Sequence, residues 1–264
     1  MKFPSRHQTR RRLLREQVDI QDGQTVLTQW FESPLGKAVL SAEKKLVDPY
    51  LNRLFGYHIL QMGCSSRHSI IGDSPVGHKI LFAPEFDPIS GQPVADNEQL
   101  PLARESIDVV VIHHALDFTR DSHSLLREAA RVLRPGGQLL IVGFNPFSFW
   151  GLKKLLKGKA EVPWAGRFIS HRRVSDWLKL LELQVDKVDY GLHFLPSRWR
   201  KAMAAADGTE DLTDRLTSPF GGAYLVIGIK RVLPITPVLQ KWRPLRPRAT
   251  VMPAAENVRI KKLH

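Results

Sequence analysis

Cysteine is almost absent from this chain. Cys64 is the only one in 264 residues, so no internal disulfide can form and a reducing, cytoplasmic setting is expected. No apolar run approaches the roughly 20 residues that a membrane-spanning helix needs. A twin-arginine look at Thr9–Leu14 is followed by Arg15-Glu16-Gln17-Val18-Asp19. That segment is polar where an export signal needs an apolar core, so export is not expected. Acidic residues are also in deficit, with 26 against 39 Lys+Arg and a net charge of +13. The deficit is local: residues 1–16 hold six Lys/Arg and one acid, and residues 230–264 hold nine and one. The body, 17–229, carries 24 basic and 24 acidic groups and is neutral. Basic ends on a neutral body fit weak contact with RNA or another polyanion; they equally fit tails that aid solubility.

What is present centres on residues 106–145. Ile107, Val109, Val110, Val111 and Ile112 form a β-branched run of the kind buried on both faces of a parallel sheet. Asp121 or Ser122 can cap a helix in which Leu125, Leu126, Ala129, Val132 and Leu133 make one apolar face. Pro135-Gly136-Gly137 is expected to stop that helix, and Leu139–Val142 to form the next buried strand. The unit is strand, helix, strand, with a right-handed crossover. Spacing alone goes no further than this architecture.

The residues from Val94 to Pro146, with LPLARESIDVVVIHHALDF and LLREAARVLRPGGQLLIVGFNP, resemble the class I S-adenosylmethionine (SAM)-dependent methyltransferases that act on small molecules and quinones. The resemblance implies a Rossmann-like, doubly wound α/β fold. Its sheet would have seven mostly parallel strands, the last antiparallel, with a helical cover ahead of the first strand. It also implies SAM as cofactor and an unidentified small-molecule acceptor. The first strand reads Tyr57–Gly63. The family follows it with acid-x-G-x-G-x-G, whose bare backbone lets the methionine part of SAM approach. Here only Gly63 fits; Gln61 replaces the acid, Ser65 the second glycine and Arg67 the third. Arg67 could pair with a ligand carboxylate or simply fill the space. Pro84 stands where the ribose-binding acid belongs, and Glu85 follows it. Asp96, with Asn97 beside it in Val94–Leu102, matches the family acid that accepts from the adenine amino group; a turn-capping role is the alternative.

His113 and His114 end the central strand. Neighbours on a regular strand face opposite sides, so one histidine should meet the crevice and the other pack under a helix. By the same argument they should not share one metal. His113 is assigned to the cofactor site; His114, Asn145 and Trp150 are assigned to the acceptor pocket. The segment from Phe149 to Arg173 interleaves Lys153, Lys154, Lys157, Lys159, Arg167, Arg172 and Arg173 with Phe149, Trp150, Trp164 and Phe168. It reads as a surface for a nucleic acid, a large anionic or apolar small molecule or a membrane, as a substrate lid, or as a loop whose rings seal the core while its lysines face water.

The division expected is a basic arm over 1–24, an α/β domain over 25–232, and a basic tail over 233–264. The tail holds five prolines and seven Lys/Arg, which disfavours regular structure. Within the domain, helices are expected over 25–55, with Pro34 and Pro49 near two starts. A strand is expected over Val185–Leu195, short helices between Trp199 and Leu216, and a last strand over Ala223–Arg231. No catalytic dyad is legible. The two functions that compete are a SAM-dependent methyltransferase and a methyltransferase fold that has lost catalysis and binds nucleic acid or protein.

Overall fold

The computed structural model describes residues 26–63, 65, 67–83, 86–157, 162–194 and 219–231. The chain divides after Val232 into Met1–Val232 and Leu233–His264. The basic arm, the tail, Glu85 and the helices expected between Trp199 and Leu216 lie outside the described residues.

Six strands form one sheet: β1 (His58–Gly63), β2 (His78–Phe82), β3 (Ile107–His113), β4 (Leu133–Phe144), β5 (Leu183–Gly191) and β6 (Ala223–Lys230), in the order β2-β1-β3-β4-β6-β5. β1, β2, β3 and β4 pair in parallel, and β6 runs antiparallel to both β4 and β5. The expected α/β sheet with a reversed last strand is therefore present. Six strands are found among the described residues where seven were expected. Beyond β2 the edge holds only a bridge between Ala83 and Val94, because the turn-rich stretch 86–92 leaves no room for a paired strand.

Alternation along the buried strands sorts side chains to the two faces. Leu60, Met62, Val110, Ile112, Leu139 and Ile141 pack with α4 (Ser122–Val132) and α6 (His171–Leu180). Ile59, Val109, Val111, Leu140 and Val142 pack with α2 (Pro34–Leu51). Asp121 caps α4 by accepting from the amides of His123 and Ser124, and Ser170 caps α6 by accepting from Arg173. α4 ends at Val132, earlier than Pro135-Gly136-Gly137 implied. Leu133 is already extended and opens β4 by pairing with Ile107, and the ladder then shifts register before Gln138. The third element of the crossover logic is missing: residues 67–77, between β1 and β2, form a loop and no helix.

The cover ahead of β1 is made of helical residues 26–32 (α1) and α2. Ser33 caps α2 by accepting from the Gly36 amide, and Pro34 stands at its start. Pro49 does not start a second helix. It sits inside the last turn of α2, where the bond it forgoes is local. Gly36 allows the two cover helices to touch: a Cβ there would stand 2.1 Å from the Trp30 carbonyl oxygen and 2.6 Å from the Phe31 Cα. Phe31 is fully buried and Trp30 partly so, and both pack in the core.

Candidate functional site

The strand order reverses direction between β1 and β3, since β2 lies on one side of β1 and β4 lies beyond β3. In open α/β sheets the ligand crevice lies at the carboxyl ends of the strands at such a switch point. Gly63 and His113 are register partners there. Two groups of residues surround this point.

The first group is the loop after β1. Gln61 is buried and uses both ends of its amide: Oε1 accepts from the Ile70 amide at 3.0 Å, and Nε2 donates to the His68 carbonyl at 2.9 Å. It therefore ties down the loop in place of the family acid. Ser65 Oγ lies 2.8 Å from His68 Nδ1. Arg67 does not await a ligand. Its guanidinium pairs with Asp87 at 2.6 Å and Glu32 at 2.8 Å, bracing the loop against α1. Asn97 is buried and donates from Nδ2 to the Gly63 carbonyl at 3.2 Å, while its Oδ1 has no partner among the described residues. Asp96 is exposed and accepts from the Glu98 amide at 2.8 Å, so it does make the turn that was the alternative reading. Only one carboxylate oxygen is used that way.

The second group lies under the cover. β3 ends at His113, and His114 takes a left-handed conformation with φ 54°. That turn breaks the alternation on which the sequence argument relied. The two imidazoles lie on the same side, with ring centroids 4.8 Å apart, and both reach one carboxylate. Glu43 of α2 stands with Oε2 2.9 Å from His113 Nε2 and Oε1 2.8 Å from His114 Nε2. His114 Nδ1 lies 2.9 Å from Asp117 Oδ2, which also accepts from the Phe144 amide at 3.2 Å. All four side chains are at most 1% exposed. Phe31 stacks on His113 and Phe144 on His114.

Burial alone would push the Glu43 carboxyl up; the charge on His114 and the hydrogen bonds with both imidazoles more than reverse this, to about 2. Burial alone would push His114 down; Glu43, with Asp117, raises it to about 9. Burial lowers His113 and keeps it neutral, against its hydrogen bond with Glu43. The state is thus a carboxylate and an imidazolium locked together between the cover and the sheet.

Asn145 and Trp150 are not in an open pocket. Asn145 is buried, donates to the carbonyls of Pro219 and Gly221, and accepts from the Phe147 amide. It clamps the entry to β6. Trp150, at the start of α5 (Phe149–Lys157), is 1% exposed, donates to the Phe194 carbonyl and stacks near Trp164 and Phe144. The lid segment folds on itself: Lys153 lies 4.2 Å over Trp164, Lys154 4.4 Å over Phe168, and Arg167 donates to the Thr119 and Arg120 carbonyls. Its buried rings seal the core, as one of its readings held.

Glu43, Asp117 and His68 had escaped the sequence reading. Glu43 carried a signal: it lies on the i, i+4 line of buried Val39, Val47 and Leu51, a charge where an amphipathic helix should be apolar. Asp117 lies three residues beyond His114, but only the turn at 114 makes that spacing meaningful.

A sheet of this order, with the last strand reversed and its crevice at the β1–β3 switch point, defines the class I SAM-dependent methyltransferase fold. The methyltransferase domain family known as Methyltransf_11 matches residues 85–141. The chain belongs to the family of the uncharacterized protein YafS of Escherichia coli K12: the two are 33% identical over 220 residues, 83% of this chain and 87% of that protein. A malonyl-[acyl-carrier protein] O-methyltransferase of Hahella chejuensis is 34% identical over 83 residues, 31% of this chain and 30% of its own. In structure, a SAM-dependent methyltransferase of Thermotoga maritima, described as a possible histamine N-methyltransferase, superposes with a TM-score of 0.58. It is 21% identical and covers 77% of this chain and 93% of its own.

Proposed function

We propose that this chain binds SAM at the β1–β3 switch point and methylates a small molecule with an apolar body, held beneath the α1–α2 cover. The observation that carries the reading is the pairing of Gly63 with Asn97 at that point. Asn97 holds the Gly63 carbonyl with one end of its amide and presents at the other a buried oxygen that has no donor among the described residues. Such an acceptor suits a ligand that brings N–H or O–H groups into the crevice. Gly63 leaves room beside its backbone, since a Cβ there would meet nothing closer than 3.5 Å. Packing therefore does not demand the glycine, and a ligand approaching the backbone accounts for it. Gly63 and Asn97 would hold the cofactor from below, on a loop that Gln61 ties down, with the second oxygen of Asp96 toward its adenine.

SAM when bound supplies an activated methyl group with a sulfonium as leaving group. What remains for the protein is orientation, exclusion of water and fixed geometry, which together account for much of the rate in such transfers. The altered loop serves that purpose by rigidity: Gln61, His68 and Arg67 fasten it where the family uses glycines. Phe31, Phe144 and Phe168 pack as a core cluster under the cover, and an acceptor that enters beside these rings would need an aromatic or aliphatic body.

Isothermal titration of the full chain with SAM and S-adenosylhomocysteine tests the cofactor. Dissociation constants of about 1 μM to 1 mM are expected, the usual range for enzyme ligands. Asn97→Leu, which removes the unpartnered acceptor, should weaken binding at least tenfold. Absence of binding at 1 mM to the folded chain would overturn the reading.

A further inference from the structure

Glu43, His113 and His114 bring their donor atoms within 4.8 Å of one another, from a helix and a strand end that are 70 residues apart in sequence. The closest pairs set nitrogen against carboxylate oxygen, His113 Nε2 on Oε2 and His114 Nε2 on Oε1. His114 Nδ1 is already committed to Asp117 Oδ2, which leaves Nε2 as the ring atom that meets Glu43 and would meet a metal once its proton is displaced. Two nitrogen atoms facing two carboxylate oxygens need a positive centre between them. A proton on each contact can supply it; so can one metal ion, which serves all the donors at once.

We propose that Glu43, His113 and His114 form a site for a divalent first-row transition metal, with Asp117 as the residue that orients His114. Four features of the site fit a metal. Two imidazoles and one carboxylate are the donor set of zinc and non-haem iron sites, and they disfavour magnesium and calcium, which prefer all-oxygen shells. Ligand atoms around a four-coordinate zinc, with bonds of about 2.0–2.1 Å, stand about 3.3 Å apart. The contacts at 2.8 and 2.9 Å would open by about half an ångström, and the widest separation, up to 4.8 Å, would close by about 1.5 Å. A carboxylate on the second nitrogen of a ligating histidine fixes its ring and raises its basicity, and Asp117 stands in that relation to His114. Three protein donors leave a fourth position open, as in sites where a metal meets water or a substrate atom.

The left-handed turn at His114 is what makes the site. In a regular strand the second ring would pack with Val110 and Ile112 toward α4. Here it joins the first under α2. The ion would tie the cover helix to the carboxyl end of β3, beside the switch point. This inference does not rest on SAM binding, and each can fail without the other.

The test uses the full chain, dialysed against a chelator and then titrated with Zn²⁺, Co²⁺ or Mg²⁺. One equivalent of Zn²⁺ should bind and raise the melting temperature, Co²⁺ should give visible absorption of four- or five-coordinate form, and Mg²⁺ should do neither. Glu43→Gln and His113→Gln should each weaken Zn²⁺ binding at least 100-fold. The control is His58→Ala with His78→Ala, the other close imidazole pair, with Nδ1 atoms 2.9 Å apart on the exposed edge, and it should leave binding unchanged. Should a Glu43 or His113 variant fail to fold, X-ray absorption at the zinc edge of the unaltered chain decides instead. Two imidazoles with oxygen are expected; a sulfur ligand, which would come from Cys64, or a single imidazole overturns the proposal. So do the absence of Zn²⁺ binding and a loss of binding confined to the His58/His78 control.

Discussion

At Glu43 one carboxylate decides how the cover attaches. It is buried, charged and matched to His114, so removing its charge leaves the buried His114 with Asp117 as its one remaining carboxyl contact among the described residues. Breaking such a pair from one side costs about 3–5 kcal/mol. Glu43→Gln is expected to lower the unfolding free energy by that order, read from urea denaturation monitored by circular dichroism. Trp150 makes a different case. As the largest fully buried side chain it should cost about 3–5 kcal/mol as Trp150→Ala, whereas a substrate contact at an open pocket would change affinity and leave stability nearly intact. Glu128 is less buried and titratable. It accepts from the Leu100 amide and from Arg131, and the pair joins the Asp96–Leu102 segment to α4. The guanidinium of Arg131 holds its carboxyl below the usual range, with the Leu100 amide helping. A depressed carboxyl stabilises the fold above its unfolded pKa of 4.5 and loses that contribution as pH falls through the lower folded value. Glu128→Gln should therefore destabilise at pH 7 by about 1–2 kcal/mol, and the difference between variant and parent in thermal melts should shrink below pH 4.5 and close once pH falls below the lower folded value.

At the scale of elements, the β1 loop and the cover depend on each other. Arg67 joins the loop to Glu32 of α1 and to Asp87, and Phe31 of α1 lies against His68 and His113. Contact between α1 and α2 relies on the missing Cβ of Gly36, because the neighbouring atoms are backbone and cannot move aside. Gly36→Ala is expected to separate the two helices and expose Trp30 and Phe31. Native-state hydrogen exchange should show lost protection in α2, with β3 and β4 retaining theirs. Exchange that stays slow across α2 would contradict this. The crossovers from β1 to β2 and from β2 to β3 show how far an α/β pattern can thin. The described residues of both connections are loop, yet β2 keeps its parallel place at the edge through register with β1.

Over the whole molecule, most of the excess positive charge lies outside the described residues. The body is neutral and the excess lies in 1–16 and 230–264. We propose that these ends, with exposed cations of the 153–173 segment, give weak binding to RNA or another polyanion. Affinity for generic single-stranded RNA, measured by fluorescence anisotropy, should fall with salt at a log–log slope of about −0.7 for each phosphate neutralised. Changing the Lys and Arg of both ends to glutamine in the full chain should abolish binding; equal binding by both proteins would show the ends to be solubility tails. As for legibility, the strands around 59–63, 107–113 and 139–142 and the cap at Asp121 were readable, since each rests on periodicity or on side chains close in sequence, whereas the reversed last strand followed from the family resemblance alone. The sequence by itself determined the class of sheet and the place where a ligand should approach. Only the tertiary structure decided that Gln61 and Arg67 are occupied within the fold, that Trp150 and Asn145 serve packing, and that Glu43, His113, His114 and Asp117 form one buried unit. The reason is physical: a left-handed residue ends β3 without a glycine to announce it, and the carboxylate that completes the unit arrives from a helix 70 residues away.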